Sequence, residues 1–176
     1  LKIDNTCHYD GMVCQSSVWA EEELGSSRYP ELLGQACGCT WTATDLTNQL
    51  FFNFSDIKPG DDGEDTVSLR VIDNEAWACA QITNLENQEN NCNEPESIVD
   101  STCGNPGQGQ GELQNNLYFS IWQDFNCDNQ YNGEDVYLVE NATASNGFWP
   151  ISDSTTGTGP LQGNQTYCLG LAWSVP

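Results

Sequence analysis

Positive charge is almost missing from this chain. Lys2, Arg28, Lys58 and Arg70 are its 4 cations, set against 26 Asp and Glu, for a formal net charge of −22 over 176 residues. No two of the four are neighbours. Nucleic-acid binding needs a clustered basic footprint to neutralise phosphates, so it is excluded, and anionic membrane surfaces are disfavoured as partners. Long apolar runs are missing as well, and none approaches the roughly 20 residues of a membrane span. Histidine is scarce: His8 is the only one, it lies between Cys7 and Tyr9, and it reads as structural or exposed. With one histidine and no HExxH, neither a nucleophilic triad nor a zincin-type protease is supported, and no enzyme activity is expected. CxxC pairs are absent, which removes zinc-finger spacing. The chain opens at Leu1-Lys2-Ile3-Asp4 without an initiator Met and reads as a mature or trimmed product.

Cysteine, by contrast, is plentiful: Cys7, Cys14, Cys37, Cys39, Cys79, Cys92, Cys103, Cys127 and Cys168. Scattered cysteines in an acidic chain predict a disulfide framework formed in an oxidising, extracellular compartment. Nine is odd, so one is free, bonds another chain, or has lost its partner. Three sequons, at Asn53, Asn141 and Asn164, are candidate glycosylation sites and point the same way.

Strand patterns dominate the rest. Thr66–Ile72 alternates, with Val67, Leu69 and Val71 on one face. Ala76–Ile82 follows after a turn at Asp73-Asn74-Glu75. Asn116–Asp124 is apolar on both faces and suits a central strand. Val136–Val139, Thr166–Trp173 and Leu50–Phe54 are further strands, the last ending before a type II turn at Pro59-Gly60. Helical signals are few: Ser17–Leu24 behind a serine cap, and a turn or two over Ser27–Leu33. Asn84–Gly111 reads as a long polar loop pinned by Cys92 and Cys103. Several strands with long excursions predict an all-β antiparallel sandwich in one domain spanning 1–176.

The sharpest chemical pattern is Asp124-Phe-Asn126-Cys-Asp128-Asn-Gln130-Tyr-Asn132-Gly-Glu134-Asp135. Side-chain oxygens recur on alternate residues, and an acidic pair closes the segment. Ca²⁺ takes six to eight oxygen ligands, and a tight loop turns alternate residues inward. Asp124, Asn126, Asp128, Glu134 and Asp135 are the candidate side-chain ligands, with the Gln130 carbonyl between them. Asn129 stands where such loops need positive φ. A second acidic group, Asp56, Asp61, Asp62, Glu64 and Asp65, shows no ligand register and reads as a solvated loop. Of the tryptophans, Trp77, Trp122 and Trp173 lie in strand patterns and are expected in the core. Trp19, Trp41 and Trp149 are the ones expected to be exposed.

Leu1-Lys2-Ile3-Asp4 with Cys7-His8-Tyr9, then Phe52-Asn53-Phe54-Ser55-Asp56-Ile57-Lys58-Pro59-Gly60-Asp61 leading into Thr66-Val67-Ser68-Leu69, resembles the TasA/camelysin family. Tyr167-Cys168-Leu169-Gly170-Leu171-Ala172-Trp173 is similar to its cysteine-bearing branch. The resemblance implies a jelly-roll-like sandwich, with 7–39 and 84–111 as insertions outside the common core. It also implies secretion and head-to-tail homopolymers, as biofilm-matrix fibres or pili, built by donor-strand complementation. The alternative is a calcium-stabilised extracellular carbohydrate-binding or adhesive module, whose partners are surface glycans.

Overall fold

A computed structural model describes residues 1–22, 25–54, 57–89, 92, 98, 100–104, 107–155 and 159–176. Glu23, Leu24, Ser55, Asp56 and parts of the 84–111 loop, named above, lie outside the described residues.

Short turns build one side of the main sheet. Strand β1 (Lys2–Tyr9) reverses through Asp10-Gly11 into β2 (Met12–Gln15), with Tyr9 opposite Met12. Both turn residues have positive φ, 49° and 74°, the type I′ geometry that matches strand twist. The next reversal repeats it. Ser16 and Ser17 have φ of 53° and 66°, and they turn β2 into β3 (Val18–Glu21) with Gln15 opposite Val18. The helix expected over Ser17–Leu24 is therefore corrected, because the serines are turn residues and not an N-cap. Alternation across β3 buries Trp19, 7% exposed, in the core. Pro30–Leu32 forms the short turn expected there, as a 3₁₀ helix.

β1 is the pivot. One edge pairs along its whole length with β5 (Asp62–Val71), from Lys2 opposite Arg70 to Tyr9 opposite Gly63. Its other edge is shared by β2 and by β4 (Trp41–Thr44). Beyond β5 come β12 (Gln165–Ser174), β9 (Tyr118–Asp124) and β10 (Val136–Thr143). The antiparallel order is β10-β9-β12-β5-β1-β2-β3, with β4 beside β1. β9 is central, as its two-faced apolarity predicts. β6 (Ala78–Ile82) leaves β5 for a second sheet and pairs with β11 (Gly147–Ser152). A last pair, β7 (Gln88–Glu89) and β8 (Gly107–Gln108), lies in the polar loop. The chain is thus an all-β antiparallel sandwich in which a two-stranded sheet packs on an eight-stranded one.

One core lies between these sheets, where Val67, Leu69, Val71 and Leu169 meet Ile151 and Leu161. The other collects Tyr9, Trp19, Phe119 and Trp173 around the Cys7–Cys39 and Cys14–Cys37 bonds. Leu50–Phe54 is not a strand. It crosses as irregular chain so that Phe54 can stack between Tyr9, 5.0 Å away, and Trp173, 5.2 Å away. Cys92–Cys103 and Cys127–Cys168 complete four disulfides, and Cys79 is left free and exposed. Four disulfides mark an oxidising, non-cytoplasmic compartment. Among the described residues no helix is long and apolar enough to cross a membrane.

Two tryptophan expectations reverse. Trp77 is 59% exposed while Trp19 is buried. Alanines 76, 78 and 80 take the inward positions on and before β6, which turns Trp77 and Cys79 out. Trp122 and Trp173 are buried as expected. Trp41 and Trp149 are half-buried. Trp149 stands edge-on to Phe119.

Candidate functional site

The loop after β9 is organised by its first and last carboxylates. Asp124, 2% exposed, accepts the N–H of Cys127 at 2.7 Å and Asp128 at 3.3 Å on Oδ1, and that of Asn129 at 2.8 Å on Oδ2. Asp135 accepts Phe125 N–H at 3.0 Å and Asn132 N–H at 2.9 Å. Asp128 accepts Gln130 N–H at 2.9 Å and the Asn126 amide at 2.7 Å. Glu134 is exposed. Cys127 and Asn129 both have φ of 59°, which curls the loop back over the sheet, and Cys127–Cys168 ties it to β12. The expected ligand residues share one loop, with the side-chain oxygens of Asp124, Asn126, Asp128 and Asp135 turned onto backbone N–H groups. Among the described residues, none of the groupings of His, Cys, Asp and Glu compact enough to hold an ion includes a residue of this loop. Beside the loop, Tyr131 stacks on Tyr137 at 3.9 Å, and both stand edge-on to Trp122.

The same face of the large sheet holds a cleft of about 500 Å³, lined by residues of β1, β5, β9 and β12. Ser120, Ala172, Glu64 and His8 form one row across these four strands. Glu22, just past β3, reaches in from the side. His8 Nε2 lies 3.8 Å from Glu22 Oε1, and His8 Nδ1 lies 4.0 Å from Glu64 Oε1. One donor atom from each residue lies within 4.8 Å of the others. Burial raises the Glu64 carboxyl above its ordinary range. His8 opposes that shift, the Glu22 charge adds to it, and the Asn129 amide beside Glu64 opposes it. Residue-by-residue reading missed this trio because its members are 14 and 42 positions apart; only the strand register joins them.

The remaining members of the second acidic group are not a solvated loop. Alternation along β5 puts Gly63, Asp65, Val67, Leu69 and Val71 inward, so Asp65 follows the apolar residues into the interior. There burial pushes its carboxyl up to about 9, opposed by the Asn5 amide and reinforced by Glu64. Asp61 is also buried, but it accepts from Tyr9 Oη at 2.9 Å, Tyr29 Oη and Lys58 N–H at 3.0 Å. Burial alone would raise Asp61; these donors outweigh it and hold the carboxylate below its usual range. Asp62 joins Asp10 in gripping Arg28.

On the opposite layer, the outer face of β6–β11 is apolar and open. Trp77 and Phe148 are 59% and 56% exposed, and Cys79 stands opposite Pro150. Of the sequon asparagines, Asn53, Asn141 and Asn164 are all exposed. No family model, curated protein or solved structure matches the chain.

Proposed function

We propose that this protein is a structural subunit of an extracellular filament, assembled head to tail by strand addition between copies. The observation that carries the reading is the unequal sandwich. Among the described residues the second sheet has two strands, each with a single strand neighbour, over a sheet of eight. An open strand edge templates pairing with another chain, and the exposed Trp77 and Phe148 beside it give an incoming strand apolar surface to cover. Main-chain and apolar contacts depend weakly on net charge, so subunits of charge −22 can share them. Cys79 on that face lies where an intermolecular bond would lock the assembly. The resemblance to TasA/camelysin proteins agrees with this reading.

Negative-stain microscopy and sedimentation of the purified protein at high salt test it. Filaments are expected, and Trp77→Lys with Phe148→Lys should abolish them while leaving the thermal midpoint within a few degrees. Monodisperse particles under all salt conditions would overturn the reading.

A second reading, a calcium-stabilised adhesive module for surface glycans, is favoured by the stacked Tyr131–Tyr137 pair beside the 124–135 loop. Exposed aromatic faces stack on sugar rings, and on this reading the 124–135 loop would open its oxygens to Ca²⁺. Glycan-array binding by monomers, lost with chelator or in Tyr131→Ala, would favour it over the filament.

A further inference from the structure

We propose that His8, Glu22 and Glu64 bind one divalent transition-metal ion of the Zn²⁺ type, with a coordination position left open to the cleft. The donor set decides the metal class. One imidazole and two carboxylates suit Zn²⁺ and its neighbours, whereas Ca²⁺ and Mg²⁺ take oxygen ligands alone. The ligands come from separate places, His8 from β1, Glu64 from its direct cross-strand partner on β5, and Glu22 from the end of β3. An ion would therefore fasten the three together.

The geometry is that of unmet donors. The imidazole is 3.8 Å from one carboxylate and 4.0 Å from the other, too far for a hydrogen bond to either. Bonds of about 2.0–2.2 Å to a shared ion need donors only about 3.3 Å apart, a closure that side-chain torsions supply. His8 Nδ1 is buried without a hydrogen-bond partner. Independently, Asn129 is 92% buried (8% exposed): its Oδ1 has no hydrogen-bond partner, and its Nδ2 has no acceptor in hydrogen-bonding geometry although it faces the Glu64 carboxylate and favours its charged form. Buried amides left unpaired are rare and costly. A carboxylate fixed by a metal bond gives Asn129 a stationary acceptor, the supporting role that outer groups play around metal ligands. Glu22 is half-exposed, which gives the ion a way in from solvent. Three protein ligands leave the fourth position to water or to an incoming donor, the arrangement of an open zinc site.

Because His8 is the only histidine, its ring nitrogens report the site without ambiguity. Zn²⁺ would be titrated into the monomeric protein under excess Ca²⁺, following the His8 ring ¹⁵N resonances and the bound metal by equilibrium dialysis. One Zn²⁺ per chain is expected, with one ring nitrogen shifted. Glu22→Gln should weaken binding at least about tenfold, and Asn129→Ala about tenfold. Glu22 is exposed enough that its variant should fold, which near-ultraviolet circular dichroism checks. Glu75→Gln, an equal change of charge in the exposed turn after β5, should bind as wild type. Unmoved His8 resonances at saturating Zn²⁺, or equal affinity in Glu22→Gln, would overturn the proposal. These readouts do not depend on assembly, so they stand or fall apart from the filament reading.

Discussion

Asp65 and Asp61 lie four residues apart and meet the same burial with opposite outcomes. Asp61 has three donors and stays ionised; Asp65 has the Asn5 amide at 3.2 Å and an Oδ1 with no partner. The folded state therefore keeps a proton on Asp65 that the unfolded chain, with an ordinary carboxyl near 4, releases. A folded pKa raised to about 9 means that the stability is full below about pH 4. It is then lost as pH rises through the window from 4 to 9, by up to about 1.4 kcal/mol per pH unit. Asp65→Asn supplies the neutral form at every pH. The variant should match wild type near pH 4 and melt progressively higher than it as pH rises to 8. A constant difference across that range would show that Asp65 is ionised inside the fold. Asp61 runs the other way. Its depressed pKa contributes stability above about pH 4 that fades as acid protonates it, so Asp61→Asn should narrow its deficit at low pH.

At the scale of elements, alternation was the readable signal. Val67, Leu69 and Val71 gave β5 its inward face, and the two-sided apolarity of 118–124 gave a central strand. The hairpins at the sheet's other end were half legible. Asp10-Gly11 is a recognised type I′ pair, whereas Ser16-Ser17 carries no such signature and resembles a helix cap until the register of β2 and β3 is known. Phe51 and Phe54 were correctly apolar, yet tertiary stacking and not strand pairing places them. The His8–Glu22–Glu64 cluster was invisible for a related reason, because pairing across β1 and β5 depends on a register that local patterns do not specify. The serine turn yields a direct test. Two non-glycine residues at positive φ are strained, and Asn-Gly adopts that turn readily. Ser16→Asn with Ser17→Gly should stabilise by about 0.5–1.5 kcal/mol, raising the thermal midpoint by a few degrees. An unchanged or lower midpoint would mean that the serine hydroxyls hold the turn.

Across the whole molecule, charge is the dominant opposing force. Each cation is already engaged: Lys2 with Asp45 at 2.6 Å, Arg28 with Asp10 and Asp62, Lys58 with Asp61 at 4.0 Å, and Arg70 with Asp4 at 2.8 Å. With 26 acids against 4 bases, most of the negative charge has no cation to neutralise it, and folding compresses it into a small volume. Two effects of salt compete. Screening weakens the surface ion pairs, each worth about 0–1 kcal/mol, and it relieves the repulsion summed over the remaining carboxylates. Repulsion between many charges reaches farther than a contact pair. It is therefore cut more as the screening length falls from about 10 Å at 0.1 M to about 3 Å at 1 M salt. The thermal midpoint should accordingly climb by several degrees between low salt and 1 M NaCl, and KCl should act alike because the effect is screening and not site binding. The same relief lets copies approach, so any assembly should appear over the same salt range. A midpoint that falls with salt would show that these five ion pairs outweigh the repulsion. A rise with Ca²⁺ but not with NaCl or KCl would assign the stabilisation to bound ions in place of the general field.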